Sequence, residues 1–292
     1  MQAEELRAGL LQAGHIASDG ALQALALAIR LSRPLLLEGP SGSGKTHLAE
    51  CLASFLGAKL VRLVVYPEME AEDAAFGWNY ARQLLALRLR REEALDPLDY
   101  LIERPLLRAL RASQGASACV LLVEGLEAAR SSLDAALEEL LEHHALTIAG
   151  LGRVEAAHPP IAIITTHDAR QVSGRIRRLC IHHACDYPDA LREIRILHTS
   201  LPDAAQELSA AIGAFVASLR ISDLAQMPDM ERLLQWTRTL RQLDAISLDP
   251  LALQNTLGVL LKHQDALRRN PGSEAGVWLE QLQQRIESRR VT

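Results

Sequence analysis

The chain has 292 residues, 49% of them apolar, enough for one large or two modest domains with a sizeable core, which argues against a disordered chain. Aromatic residues make up 3%, so that core must be built from Leu, Ala, Ile and Val. A net charge of −5 argues against a generic nucleic-acid or acidic-membrane binder, which would carry a basic excess. Only three of the 31 basic residues are lysines, Lys45, Lys59 and Lys262, so each lysine raises the question of what arginine could not do there.

In chain order, residues 1–33 read as helical, acidic at the start and without the basic and apolar regions of a signal peptide. Pro34 blocks continuation, and Leu35, Leu36 and Leu37 form an apolar run short enough for a buried strand. A glycine-rich loop leads into the helix THLAECLASFLG, closed by Gly57. KLVRLVVY (59–66) reads as a second strand and is followed by a long charged helical stretch to Ser113. CVLLVE (119–124) is a third strand, and SSLDAALEELLEHH a helix capped by Ser131 or Ser132, with His143 and His144 as cations at its C-terminus. PPIAIITTHD (159–168) and LCIHHACDY (179–187) supply two more strands. After Pro188 only amphipathic helical patterns remain, broken at Pro202, Pro228, Pro250 and Pro271. The expected organisation is an α/β core with a parallel sheet covered by helices on both faces over residues 1–188, and an all-α domain over 189–292. No apolar run reaches the roughly 18 to 20 residues of a membrane span, and four cysteines in a chain this long make no disulfide framework; a soluble, cytoplasmic protein is expected.

GPSGSGKT (39–46) fits G-x-x-x-x-G-K-[ST] between a strand and a helix, the pattern of a phosphate-binding loop. Gly39, Gly42 and Gly44, with Pro40, Ser41 and Ser43 between them, let successive N–H groups turn toward phosphate oxygens. The helix that follows adds its positive dipole end. Lys45 is a compact, mobile charge able to reach the β and γ phosphates, which answers the lysine question at this one position. Thr46 offers a hydroxyl to Mg²⁺. ATP with Mg²⁺ is therefore the expected ligand. A triphosphatase of this type also needs a carboxylate at the end of a second buried strand for the metal shell, and Glu124 in VLLVEGLE (120–127) is the candidate. The next residue, Gly125, has no side chain; Glu127 needs an unusual turn to reach the same water.

These segments together resemble a MoxR-type AAA+ ATPase of the CoxD-like branch. The resemblance runs nearly end to end through RPLLLEGPSGSGKT (33–46), GWNYARQLLALR (77–88), ERPLLRAL (103–110), TIAGLG (147–152), PPIAIITTHD (159–168), CIHHACDYP (180–188) and TLGVLLKHQDAL (256–267). It implies a P-loop AAA+ core followed by a helical lid, with nucleotide between them, and a homo-oligomeric, hexamer-like ring in which an arginine of one subunit completes the next subunit's site. It further implies a remodelling or maturation role toward a metalloenzyme client, with help from a von Willebrand factor A-type protein. In the lid, Arg232 falls near where such proteins send an arginine to the γ-phosphate.

Carried over residue by residue, the resemblance meets three departures. The family's hydrophobic-hydrophobic-Asp-Glu motif is Val123, Glu124, Gly125 here. The asparagine that helps orient the water falls on His167. The arginine finger position falls on Leu179, with Arg177 and Arg178 just upstream. Loss of a finger alone costs roughly 10³ to 10⁵ in rate, so the expectation is ATP binding with weak or lost hydrolysis; a sharp rise in turnover on Gly125→Glu would mark the missing carboxylate as the lesion. GWNY (77–80), with Phe76, is readable as a pore loop or as packed rings, and LALRLRREEAL (85–95) as a solvated helix face. CIHHAC (180–185) invites a zinc site, but strand alternation sets Cys180 and His182 opposite His183 and Cys185. The competing functions are a non-hydrolysing structural subunit of a ring, a small-molecule P-loop kinase, and a DNA-associated AAA+ protein, the last opposed by the net negative charge.

Overall fold

A computed structural model describes residues 1–88, 97–113, 118–148, 151–200, 212, 230–243, 256, 258 and 259. The chain divides into two compact units, Met1–Tyr187 and Pro188–Thr292.

The first unit is built on five parallel strands, β1 (Leu35–Glu38), β2 (Lys59–Val64), β5 (Cys119–Glu124), β8 (Ile161–Thr166) and β9 (Ile181–Ala184), in the order β2-β5-β8-β1-β9. Helices α1 (Ala3–Gln12), α2 (Asp19–Leu31) and α3 (Lys45–Leu56) cover one face, where Leu35, Leu37, Val120, Leu122 and Ile163 are buried. Short α4 (Ala71–Ala75), α6 (Pro105–Ala112) and α7 (Ser131–His143) cover the other, over Leu36, Val61, Leu63, Leu121, Val123 and Ile164. Alternate residues of each central strand thus enter opposite cores, which is why these strands are uninterrupted apolar runs in the sequence.

The structure departs from four of these expectations. The helical 1–33 is two helices: Gly14 at φ +93° turns the chain, and the Ser18 hydroxyl caps α2 by accepting the Ala21 N–H at 3.3 Å. The single helix read up to Ser113 is instead α4, β3 (Phe76–Trp78), α5 (Tyr80–Arg88), a 3₁₀ turn, β4 (Leu101–Glu103) and α6. β3 and β4 pair antiparallel, Asn79 Oδ1 caps α5 through the Arg82 N–H at 3.0 Å, and Pro105 starts α6. Most of the charged run 85–95 lies outside the described residues. At α7 the N-cap is Arg130, without a side-chain cap bond; the Ser132 hydroxyl donates to Glu70 at the start of α4 instead, at 2.5 Å. An antiparallel pair that the sequence reading missed, β6 (Ala145–Ile148) with β7 (Gly152–Glu155), follows α7. Burial draws the pKa of His144 down, which opposes the cation expected at the C-terminus of α7.

The remaining α-helix among the described residues of the first unit is α8 (Gly174–Leu179). The described helices of the second unit are α9 (Ala190–Ser200) and α10 (Met230–Gln242). Trp236 of α10 is fully buried and donates its indole N–H to Thr256 Oγ1 at 2.8 Å. No helix among the described residues is long and apolar enough to cross a membrane.

Candidate nucleotide site

The C-terminal ends of β1, β5 and β8 gather the chemistry. From β1 the chain enters the glycine loop, where Gly39, Gly42 and Gly44 have φ of +154°, +76° and +89°. A Cβ at Gly39 would lie 2.1 Å from the Cys185 carbonyl oxygen, so only glycine fits between the loop and β9. Lys45 opens α3 and is 8% exposed. Its Nζ donates to the carbonyls of Gly39 at 2.8 Å and Pro40 at 2.7 Å, and to Ser43 Oγ at 3.3 Å. Burial lowers its pKa, offset in part by the nearby charges of Cys185 and Glu127. A buried ammonium held only by neutral oxygens gains most from an anion in the loop.

At the start of α3 the Thr46 hydroxyl donates to Glu124 Oε1 at 2.7 Å, joining the loop to the end of β5. Arg62 of β2 donates through Nε to Glu124 Oε2. Hydroxyl and carboxylate oxygens are the hard donors Mg²⁺ takes beside phosphates, so the pair fits that metal. The fit requires the half-exposed Arg62 to yield its carboxylate oxygen.

The third strand end presents Thr166 and His167. Gly39 N–H donates to the Thr166 carbonyl at 3.1 Å, and Ala169 N–H to Glu38 Oε1 at 2.9 Å, fixing the loop to the end of β8. Glu127 accepts the Thr166 hydroxyl and, at 2.9 Å, the His167 N–H. Burial pushes the pKa of Glu127 up, but these hydrogen bonds outweigh it and hold the carboxylate below the usual range.

The profile of the AAA domain (dynein-related subfamily) matches residues 34–211, from the proline before β1 into the second unit. The chain belongs to that family. Among solved structures, this AAA domain resembles RuvB of Thermotoga maritima: two mutant forms superpose with a TM-score of 0.55 at 14% and 16% identity, covering 87% and 88% of this chain and 75% and 77% of theirs. A further structure, described as the Thermotoga maritima RuvB Holliday junction branch migration motor, gives 0.50 at 14% identity over 88% of this chain and 76% of that one. At such identities the likeness shows the fold alone. No curated protein matches the sequence.

In this AAA domain the loop 39–46 and Glu124 meet through the Thr46 hydroxyl, and His167 lies at the end of the neighbouring strand β8 with its N–H on Glu127. Arg177 and Arg178 do not join them. Both are exposed on the last turn of α8, which feeds β9 where Ile181 pairs with Leu35, at the opposite end of β1 from the loop. They line an open groove of about 810 Å³ with Ser131, Asp134, Ser173 and Arg175, and Leu179 packs inward against the core. Arg232 lies on α10, half-buried, in the second unit.

β9 keeps its histidines apart: His182 pairs with Glu38 Oε2 at 2.7 Å, whereas His183 faces Gly20 of α2. Phe76 is buried and meets Trp78 edge to face at 6.1 Å, the packed-ring reading; Tyr80 is 65% exposed. Sequence reasoning missed Arg62, a charge on the sheet face of Glu124 that only strand register reveals. Arg33, also missed, donates to the carbonyls of Leu179 at 2.7 Å and Arg178 at 2.5 Å.

Proposed function

We propose that this AAA domain binds ATP with Mg²⁺ and serves as one subunit of a homo-oligomeric, hexamer-like ring that remodels or activates a protein partner. The observation that carries the reading is Lys45, buried in the glycine loop with only neutral acceptors, beside the Thr46–Glu124 pair. Gly39, Pro40, Ser41, Gly42, Ser43 and Gly44 would wrap the phosphates with backbone N–H groups, and Lys45 would exchange loop carbonyls for phosphate oxygens. Thr46 and Glu124 would hold the metal, which when bound neutralises phosphate charge.

The position of Arg177 and Arg178, at the far end of β1 from their own loop, supports a role toward a neighbouring copy rather than in cis. The resemblance to MoxR-type proteins of the CoxD-like branch extends the proposal to a metalloenzyme client and a von Willebrand factor A-type partner. A non-hydrolysing structural subunit is the variant of this reading in which ATP only stabilises the ring. A small-molecule kinase is disfavoured by the AAA domain match, and a DNA motor by the net charge of −5.

Sizing the purified chain with and without MgATP tests the ring. A shift from monomer to a discrete oligomer with ATP, lost in the double variant Arg177→Ala, Arg178→Ala, is expected. A monomer under both conditions, with phosphate transferred to a metabolite, would favour the kinase.

A further inference from the structure

We propose that Glu127 is the carboxylate that orients and deprotonates the attacking water, carried to that place by the turn at Gly125. The inference rests on the ATP reading above and names the residue that acts in it.

The absence of a carboxylate at position 125 follows from the backbone. Gly125 sits at φ +75°, and a Cβ there would lie 2.8 Å from the Val65 carbonyl oxygen. The left-handed turn leads at once into the 3₁₀ turn Leu126–Ala128. Leu126 is the anchor, 2% exposed in the core below the sheet. With Leu126 pinned, Glu127 reaches the end of β8, where Thr166 Oγ1 and His167 N–H both donate to its Oε1. The Thr166 carbonyl in turn accepts the Gly39 N–H, so one residue separates this carboxylate from the phosphate loop. Its charge is felt at Lys45. Glu127 needs an unusual turn to reach the site, and the left-handed Gly125 supplies it.

The neighbouring acids are committed elsewhere. Glu124 gives its oxygens to Thr46 and Arg62, Glu38 to the Ala169 N–H and His182, and Asp168 to Arg170. Both bonds from β8 fall on Oε1 of Glu127, and Oε2 takes neither. In the step, the water oxygen bonds to the γ-phosphorus as the bond to the β,γ-bridging oxygen breaks. ADP leaves with that electron pair, while Glu127 accepts the water's proton and returns it to the released phosphate.

Glu127→Gln separates this role from a purely structural tie, because the amide oxygen still accepts from Thr166 and His167 while the base is gone. The full-length variant and the wild type are compared for affinity toward a fluorescent ATP analogue, for the nucleotide retained after rapid gel filtration, and for phosphate release. The expected result is affinity within about two-fold, retained nucleotide that stays ATP in the variant and becomes ADP in the wild type, and turnover lower by about 10² to 10⁴. Equal turnover in the two proteins, or ATP left intact by a wild type that binds it, would overturn the proposal. A wild type that binds no nucleotide would instead remove the ATP reading beneath it. Should Glu127→Gln not fold, Glu127→Asp keeps the charge but withdraws it by one methylene, with an expected loss of about 10²; unchanged turnover overturns the proposal there too.

Discussion

At the scale of single residues, glycine at 125 is a positional requirement. The left-handed conformation alone costs a side chain about 1–2 kcal/mol, and the Val65 carbonyl 2.8 Å from the Cβ position adds a clash with backbone. Gly125→Glu is therefore expected to lower the thermal midpoint by several degrees without raising phosphate release. A rise in turnover at unchanged stability would contradict this and restore the simpler idea of a missing carboxylate. The phosphate loop was legible in the sequence because its eight residues are contiguous and each type has one physical task. Glu124 was legible as the end of an apolar run. The reach of Glu127 is not legible in the sequence, since spacing does not report the positive φ at Gly125. Arg62 was invisible, because its contact with Glu124 depends on the pairing of β2 with β5.

At the scale of elements, the strands buried on both faces announced themselves as apolar runs, whereas β3, β4, β6 and β7 are three or four residues long and carry too few alternations to register. The helix α8 lies mostly between the strands expected at 159–168 and 179–187, where the sequence pattern predicts no element. Its last turn ends on the carbonyls of Arg178 and Leu179, which accept from the exposed Arg33 just before β1, a cation satisfying helix C-terminal acceptors. This ties the turn that displays Arg177 and Arg178 to the start of the sheet. Arg33→Ala is expected to cost about 1 kcal/mol, read as a lower denaturant midpoint at unchanged slope, with faster amide exchange confined to the last turn of α8 and the start of β9. Exchange in that turn identical to wild type would show that the tie does not hold it.

At the scale of the whole molecule, the first compact unit ends at Tyr187, three residues after the edge strand β9. Lysine scarcity was the compositional clue to function. Lys45 is buried against loop carbonyls, Lys59 is exposed at the start of β2, and Lys262 lies outside the described residues. The central claim is that the loop around Lys45 binds ATP. Equilibrium titration of the wild type and of Lys45→Ala with MgATP tests it most directly. Charge-assisted hydrogen bonds of about 1.5–3 kcal/mol predict saturable binding by the wild type and affinity about 10- to 100-fold weaker in the variant. Equal affinity in both, or no binding by the wild type, would contradict the account.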